Sequence, residues 1–230
     1  MEWFIENYAR KLKARRIKVL DVGSYNYNGS YKNLFESDRF EYIGLDMGEG
    51  PNVDVILKNP YDWTEIQSDS FDIVISGQAF EHIEFFWLTM VEMTRVLKKE
   101  GLICIIAPNG FDEHRYPVDC YRFFTDGMIA LARYVNLEVL HSHTNSAPNP
   151  KIKRNVWYSS TMADSIIIAQ KNYEGEPHII DKSNYVCVAA NHDLLQSGLY
   201  PYKPKEGFIL KVLNKLARLV KYRIIRSEGL

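Results

Sequence analysis

Seven short segments rich in apolar residues recur along the first 171 residues of the chain. Each ends at a glycine, a proline or a polar residue, and helix-like or turn-like stretches separate most of them. The segments cover residues 17–22, 40–45, 53–57, 71–76, 101–107, 137–143 and 165–171. Nearly continuous apolar strands that alternate with helices are typical of a mostly parallel sheet with helices on both faces. The pattern therefore predicts an α/β fold of the Rossmann-like kind.

The pattern and the charge of the chain both change near residue 172. We expect residues 1–172 to form one domain and residues 173–230 a C-terminal extension, with an amphipathic helix over about 208–226. From residue 199 onward the extension holds eight basic and two acidic side chains, so it carries about +6 and the remainder about −7. We expect the basic helix to pack on the domain or in a homo-oligomer. Weak contact with an anionic membrane surface is the alternative.

Composition narrows the classes of function. The 230 residues have a net charge of −1, and the acidic body argues against a nucleic-acid partner, because such binding needs clustered Lys and Arg. No run approaches the ~20 apolar residues that span a bilayer, and the first residues lack the pattern of a secretion signal. The three cysteines lie far apart, which favours reduced thiols and a cytoplasmic location.

The loop after the first segment is the strongest candidate for a ligand site. The sequence Val-Leu-Asp21-Val-Gly23-Ser24 brings a strand into a glycine turn, where a ligand can approach the backbone closely. Asp46 ends the second segment, and a carboxylate in that place can accept hydrogen bonds from ribose hydroxyls. Because ligands of open parallel sheets bind beyond the carboxyl ends of the strands, these residues predict a nucleotide-like ligand.

A dinucleotide is the first alternative, and with it an NAD-dependent oxidoreductase. Dinucleotide loops carry the pattern Gly-x-Gly-x-x-Gly, which places a pyrophosphate at a helix N-terminus. Here the loop offers glycine at positions 23 and 29, with the bulky Tyr25 and Tyr27 between them. A cofactor without phosphates therefore fits the loop better.

Four blocks of sequence, in order and at the right spacing, carry a family resemblance. They are Val-Leu-Asp-Val-Gly-Ser from Val19, Tyr-Ile-Gly-Leu-Asp-Met from Tyr42, Ser-Phe-Asp-Ile-Val-Ile-Ser-Gly-Gln-Ala-Phe-Glu-His-Ile from Ser70, and Arg-Val-Leu-Lys-Lys-Glu-Gly from Arg95. Over about residues 17–171 the chain resembles the class I S-adenosylmethionine-dependent methyltransferases, and among them the small-molecule and glycan branch of bacterial surface-polysaccharide pathways. The resemblance implies a seven-stranded sheet with an antiparallel last strand, and S-adenosylmethionine as the cofactor. The chain departs from the family pattern at Tyr25, where a further glycine is usual.

The resemblance also implies which residues contact the cofactor. In chain order it places Asp21, Gly23, Ser24, Asp46, Met47, Asn59, Pro60, Gly77 and Gln78 around it. The first loop meets the methionine part, Asp46 the ribose, and Met47, Asn59 and Pro60 the adenine. Gly77 and Gln78 lie beside the sulfonium, and Phe80 or a nearby tyrosine faces it as a cation–π partner.

Methyl transfer to a hydroxyl requires a group that removes a proton, because the sulfonium is already a good leaving group. His82 and His114 follow the fourth and fifth strands, and imidazole is the usual side chain for a general base, so both are candidate bases. Asp119 is a third candidate. The alternative roles are structural, since His82 can shape a helix start and His114 can lie on a surface loop.

The segment from His114 to Thr125 is expected to border the acceptor. Its Tyr116 and Tyr121 can stack on a sugar, and its Arg115 and Arg122 can bind phosphate or carboxylate. These residues favour O-methylation of a small sugar or phosphorylated sugar derivative, although the aromatic residues can equally be core. Methylation of a phosphate or phosphoramidate oxygen, or of an amine, is the rival reaction. A binding module without catalysis is the rival class.

The sequence also contains a run of potential metal ligands, Asp112-Glu113-His114. Carboxylate oxygens of this kind can bind hard divalent ions. Three adjacent residues rarely converge on one ion, however, because neighbouring side chains point apart. No metal site is therefore expected from the sequence.

Overall fold

One seven-stranded sheet carries the fold in the computed structural model, which describes residues 1–145 and 163–180. The strands are β1 (Ile17–Val22), β2 (Phe40–Asp46), β3 (Val55–Ile56), β4 (Phe71–Gly77), β5 (Leu97–Gly110), β6 (Glu138–Thr144) and β7 (Ala163–Gln170). Their order across the sheet is β3-β2-β1-β4-β5-β7-β6. All pairs are parallel except those of β7, which runs antiparallel to β5 and β6. The predicted seven-stranded, mostly parallel sheet is confirmed, including its antiparallel last strand.

Three α-helices accompany the sheet within the described ranges: α1 (Glu2–Asn7), α2 (Phe86–Val96) and α3 (Thr125–Tyr134). Single 3₁₀ turns cover Ala9–Lys11, Lys32–Phe35 and Phe80–His82. Helix α1 ends at Asn7, because Tyr8 leaves the helical backbone. The ring of Tyr8 packs against Phe4 and Trp3.

The central strands are buried on both faces, which explains why their sequences are almost entirely apolar. Val19, Ile73 and Cys104 share one buried face, which α1 covers. Their neighbours Leu20 and Val74 are also fully buried, and side chains of adjacent strand residues point to opposite faces. The near-continuous apolar runs therefore reflect a sheet covered on both sides.

The order of the strands determines where a ligand can bind. From β1 the chain builds outward to β2 and β3 on one side, and then returns to place β4 on the other side of β1. Such a reversal leaves a crevice outside the carboxyl ends of the strands. The loops after β1, β2 and β4 therefore surround one place at the edge of the sheet.

The predicted C-terminal helix over about 208–226 lies outside the described residues, so its packing or membrane contact stays a prediction. The domain boundary near residue 172 and the cytoplasmic location also stay predictions. In the part of the chain that is described, no helix is long and apolar enough to cross a bilayer. Within the same part Cys104 is buried, Cys120 is exposed, and neither forms a disulfide.

Arg95 of α2 fixes the segment that follows β3. Its guanidinium donates to the carbonyl oxygens of Trp63 (2.9 Å) and Ile66 (3.1 Å) and to the Ser68 hydroxyl (2.9 Å). The same group pairs with the Glu92 carboxylate at 2.8 Å, and both side chains are largely buried. The segment between β3 and β4 consists of turns, and this side chain anchors it at three positions.

Arg95→Ala is expected to lower the free energy of unfolding by about 3 kcal/mol, because it leaves the Glu92 carboxylate without its cationic partner and two carbonyl groups without their donor. Urea unfolding of the variant measures the change. The matched control is Lys99→Ala, which removes an exposed pair with Glu174 and should change the stability by less than about 0.5 kcal/mol. Equal losses for the two variants would show that Arg95 does not hold this segment.

Candidate active site

Gly23 brings the loops after β1 and β4 into contact. Its φ of +76° is a left-handed conformation that favours glycine. A Cβ at this position would lie 2.4 Å from the Cβ of Ala79, which excludes any larger residue without movement. The glycine therefore closes the base of the crevice and leaves backbone exposed to a ligand above it.

Asp46 joins the ends of β1 and β2. Its Oδ2 accepts the backbone N–H of Tyr25 at 3.0 Å, and its Oδ1 accepts those of Met47 (2.7 Å) and Gly48 (3.3 Å). A carboxylate has about four acceptor positions, so at least one remains for a ribose hydroxyl. Met47 beside it is 62% exposed, as expected for an apolar side chain that a flat ring could cover.

A buried hydrogen-bond chain lies under the same loop. The hydroxyl of Tyr42 donates to Asp21 Oδ2, and Asn52 Nδ2 donates to the Tyr42 oxygen at 2.8 Å and to the Ser24 carbonyl at 3.0 Å. Burial raises the pKa of Asp21 to about 7, with a smaller contribution from Asp46, while the Tyr42 hydrogen bond opposes the shift. Near neutral pH Asp21 can therefore gain or lose a proton when a charged ligand arrives.

The side chains of Ser24 and Asn59 make local contacts. The Ser24 hydroxyl is buried and donates to the Asn52 carbonyl at 3.0 Å, and its backbone N–H donates to the Leu45 carbonyl at 3.1 Å. Asn59 is exposed, and its Oδ1 accepts the N–H of Tyr61 at 3.0 Å. The Pro60 carbonyl accepts the indole N–H of Trp63 at 2.9 Å, which fixes the turn beside the end of β3.

The end of β4 carries Gly77 and Gln78. A Cβ at Gly77 would lie 2.2 Å from the ring of Tyr31, so the glycine makes room for that ring. Gln78 adopts a φ of +58° and donates to Asp164 Oδ1 at 3.0 Å. Phe80 is completely buried against Phe86 and Phe123, which contradicts its suggested role beside the sulfonium. Tyr31 is the tyrosine that lies at this strand end.

Glu81 is a buried carboxyl group with an unusual environment. Its side chain is 1% exposed, and neither oxygen has a hydrogen-bond partner among residues 1–145 and 163–180. Burial raises its pKa to about 7, its own backbone N–H and the nearby Arg122 oppose the shift, and Asp119 and Asp164 add to it. Such a group usually costs stability unless it has a ligand or a partner.

Two histidines stand next to Glu81. His82 Nδ1 lies 2.6 Å from the Val118 carbonyl oxygen, so Nδ1 donates to it, and in the neutral ring Nε2 holds the lone pair. That Nε2 lies 3.8 Å from Glu81 Oε1, too far for a hydrogen bond. The rings of His82 and His114 are 5.0 Å apart. The structure therefore brings together two side chains that are 32 positions apart in the sequence.

Asp119 and Arg122 form an ion pair within the loop after β5. Arg122 NH2 donates to Asp119 Oδ2 at 2.7 Å and to the Asp112 carbonyl at 3.2 Å. Asp119 Oδ2 also accepts the His114 N–H at 2.7 Å. The Arg122 hydrogen bonds hold the pKa of Asp119 well below its ordinary value. Neither group is positioned as a free base or a free anion receptor.

The remaining loop residues divide into two sets. Tyr121 donates its hydroxyl to the Glu84 carbonyl at 2.9 Å and packs on Phe86, so it anchors the loop to α2. Tyr116 is 51% exposed and contacts the rings of Tyr27, His82 and His114. Arg115 is exposed and pairs with Glu113 at 2.6 Å.

Sequence reasoning missed three side chains of this site. Glu81 lies in the third family block, where a Glu-His pair directly after a strand end is the signal that could have identified it. Tyr31 and Tyr42 lie in segments that gave no such signal, because their hydroxyl contacts depend on residues of other strands.

Comparisons with known proteins agree with this architecture. The family described as "Methyltransferase domain" matches residues 20–105. No curated protein matches by sequence. An S-adenosylmethionine-dependent methyltransferase from Archaeoglobus fulgidus is 17% identical, with a TM-score of 0.55 over 74% of this chain and 92% of that chain.

Two further solved structures are informative. The 1,6-didemethyltoxoflavin N1-methyltransferase of Burkholderia thailandensis, with S-adenosylhomocysteine bound, is 16% identical, with a TM-score of 0.52 over 69% of this chain and 72% of that one. The cyclase SpnF is 13% identical, with a TM-score of 0.54 over 74% and 81%. At such identities the structures share the fold alone. The sequence match to the methyltransferase domain on this fold confirms the predicted enzyme class, an S-adenosylmethionine-dependent methyltransferase, and its cofactor.

The affinity for S-adenosylmethionine is expected to rise with pH if Asp21 meets the ammonium group of the cofactor. Below pH 7 the free protein holds a proton on Asp21, and that proton must leave before the ion pair forms. The dissociation constant should fall about sixfold between pH 6.0 and 7.5, as calorimetric titration at several pH values would measure. Below pH 7.5 the α-amino group of the cofactor, with a pKa near 7.7–8.0, stays mostly charged.

Asp21→Asn is expected to flatten this pH profile, whereas Asp126→Asn, an exposed carboxylate on α3, should keep it. A wild-type profile in Asp21→Asn would contradict the assignment of Asp21 to the ammonium group.

Proposed function

We propose that the chain transfers the methyl group of S-adenosylmethionine to a hydroxyl oxygen of a small acceptor, a sugar or phosphorylated sugar derivative such as those of bacterial surface polysaccharides. The observation that carries the proposal is the cluster of Glu81, His82 and His114 beside the crevice. We call these three residues the Glu-His-His cluster. It offers groups for activating a hydroxyl at the end of β4, where the cofactor's sulfonium is expected.

The chemistry of the transfer explains why such a cluster is useful. The acceptor oxygen attacks the methyl carbon in line with the sulfonium, the new O–C bond forms as the S–C bond breaks, and S-adenosylhomocysteine leaves. A neutral hydroxyl must also lose its proton, and the cluster is the group that facilitates this step. The free Nε2 lone pair of His82 is directed away from its Val118 anchor and into the cluster.

The rim around the cluster supports a sugar-like acceptor. Tyr27, Tyr116 and Phe111 are 66%, 51% and 49% exposed, and their rings connect the loop after β1 to the loop after β5 through His114. Exposed aromatic rings offer flat apolar faces on which a sugar ring can stack. The exposed guanidinium of Arg115, next in sequence to Tyr116, could bind a phosphate of the same acceptor.

The loop after β5 also needs support to present these groups. In the proposal Asp119, Arg122 and Tyr121 are positioning residues, because each is engaged with backbone groups or side chains of the protein. Asp46, Asp21, Gly23 and the turn at Gly77 form the cofactor side of the same crevice. The acceptor and the cofactor would then meet between the loops after β1 and β5.

The decisive assay offers the protein methyl-deuterated S-adenosylmethionine with panels of nucleotide sugars, phosphorylated sugars, phosphorus acids and amines. Mass spectrometry then identifies any product that has gained one labelled methyl group. With a hydroxyl acceptor, His82→Ala and His114→Ala are each expected to lower kcat by ~10²-fold or more while cofactor binding stays within a factor of two. His178→Ala, a histidine near the far edge of the sheet that stacks on Tyr173, is the matched control and should keep full activity.

The rival reactions give different outcomes in this assay. A phosphate-type oxygen already carries negative charge at neutral pH, so labelled product that forms equally fast in both histidine variants would contradict the proposal in favour of such an acceptor. Labelled amines alone would move the reaction to nitrogen. Binding of the cofactor with no labelled product from any panel would favour a binding role for the chain.

A further inference from the structure

We propose that the Glu-His-His cluster binds a divalent ion of a first-row transition metal, which in turn binds the acceptor hydroxyl. The site itself follows from the geometry of Glu81, His82 and His114. Its part in the reaction rests on the function proposed above. The run Asp112-Glu113-His114 is not this site, because Glu81 and His82 come from the turn after β4.

The three side chains come from two loops, since Glu81 and His82 are adjacent in the turn after β4 and His114 lies in the loop after β5. One ligand atom of each residue lies within 4.8 Å of the others, and His82 Nε2 is 3.8 Å from Glu81 Oε1. Metal–ligand bonds of about 2.0–2.2 Å to nitrogen and oxygen place neighbouring ligand atoms roughly 3–4 Å apart. Side-chain rotations that move each ligand atom by less than about 1 Å therefore complete the site.

Glu81 supplies the independent observation that a ligand belongs here. The carboxyl group is 1% exposed, and in the described part of the chain no other residue donates a hydrogen bond to either of its oxygens. Its own backbone carbonyl accepts the N–H groups of Cys120 (2.7 Å) and Tyr121 (3.2 Å), so the turn is held firmly while the carboxyl stays unsatisfied. Buried carboxylates persist where they are paired or coordinate a metal.

Both histidines have the arrangement typical of metal ligands. His82 Nδ1 faces the Val118 carbonyl at 2.6 Å, and His114 Nδ1 faces the Asp112 carbonyl at 3.0 Å. Metal-bound histidines usually donate their other ring N–H to a carbonyl or carboxylate, which fixes the ring and its tautomer. Here the carbonyl contacts engage Nδ1 of both rings, so Nε2 of each ring is the atom that would bind the ion.

The donor set indicates the class of ion. Two imidazole nitrogens and one carboxylate oxygen suit Mn²⁺, Fe²⁺, Co²⁺ or Zn²⁺, whereas Mg²⁺ and Ca²⁺ prefer oxygen ligands alone. Three protein ligands leave coordination positions open for the acceptor. A hydroxyl bound to the ion loses its proton to solvent more readily, and its oxygen then takes the methyl group as the S–C bond breaks.

Calorimetric titration of the full-length, chelator-treated protein with Mn²⁺ and separately with Zn²⁺ tests the site. One ion is expected to bind per chain and to raise the Tm. Glu81→Gln, which keeps the shape of the side chain, and His114→Ala, which lies in a loop, should each weaken binding at least tenfold. Glu84→Gln and His178→Ala are the matched controls, and both should bind the ion as the wild type does.

Two results would overturn the proposal. One is binding of neither ion, or equal binding by Glu81→Gln, His114→Ala and the controls. The other is methyl transfer that runs at the full rate in chelator-treated protein and does not increase when Mn²⁺ or Zn²⁺ is restored. Failure of the acceptor screen would be separate, because ion binding at the cluster is measured without any acceptor. Ion binding that depends on Glu81 with no methylated hydroxyl would keep the site and reject the proposed acceptor.

Discussion

The hydrogen bonds that Asp46 accepts hold the cofactor side of the site together. This one carboxylate receives backbone N–H groups from Tyr25 in the loop after β1 and from Met47 and Gly48 after β2. The two loops come from neighbouring parallel strands, so their N–H groups reach the same edge of the sheet. Because the same carboxylate is the predicted ribose ligand, loop geometry and cofactor recognition depend on a single side chain.

The acceptor side depends on a different constraint, the burial of charge. Glu81 lies under a loop whose own cation, Arg122, is engaged mainly by Asp119. The buried carboxyl therefore has two histidines as its chemical neighbours and no donor in the described ranges. A buried carboxyl group without a hydrogen-bond partner lowers the stability of the fold. Such a group is therefore expected where a bound ligand supplies the missing partner.

The sequence predicted the sheet well, because buried parallel strands leave an apolar signature at each position along the chain. It also placed Gly23 and Asp46 correctly at strand ends, because the end of an apolar run in the sequence marks the end of the strand. It could not show that His82 and His114 meet, since the contact requires the loop after β5 to fold back over the turn after β4. For the same reason Arg122, expected to face the acceptor, proved to be engaged within its own loop.

Calorimetric titration with S-adenosylmethionine and with NAD, on wild type and Asp46→Asn, measures whether the crevice is a site for S-adenosylmethionine in which Asp46 binds the ribose. On that assignment we expect one S-adenosylmethionine to bind per chain, NAD not to bind, and Asp46→Asn to weaken cofactor binding at least tenfold (about 1.4 kcal/mol). Asp54→Asn is the matched control, because Asp54 accepts the Gly44 N–H at 2.8 Å on the same edge. Binding of NAD in place of S-adenosylmethionine, or equal affinity in Asp46→Asn and wild type, would contradict it.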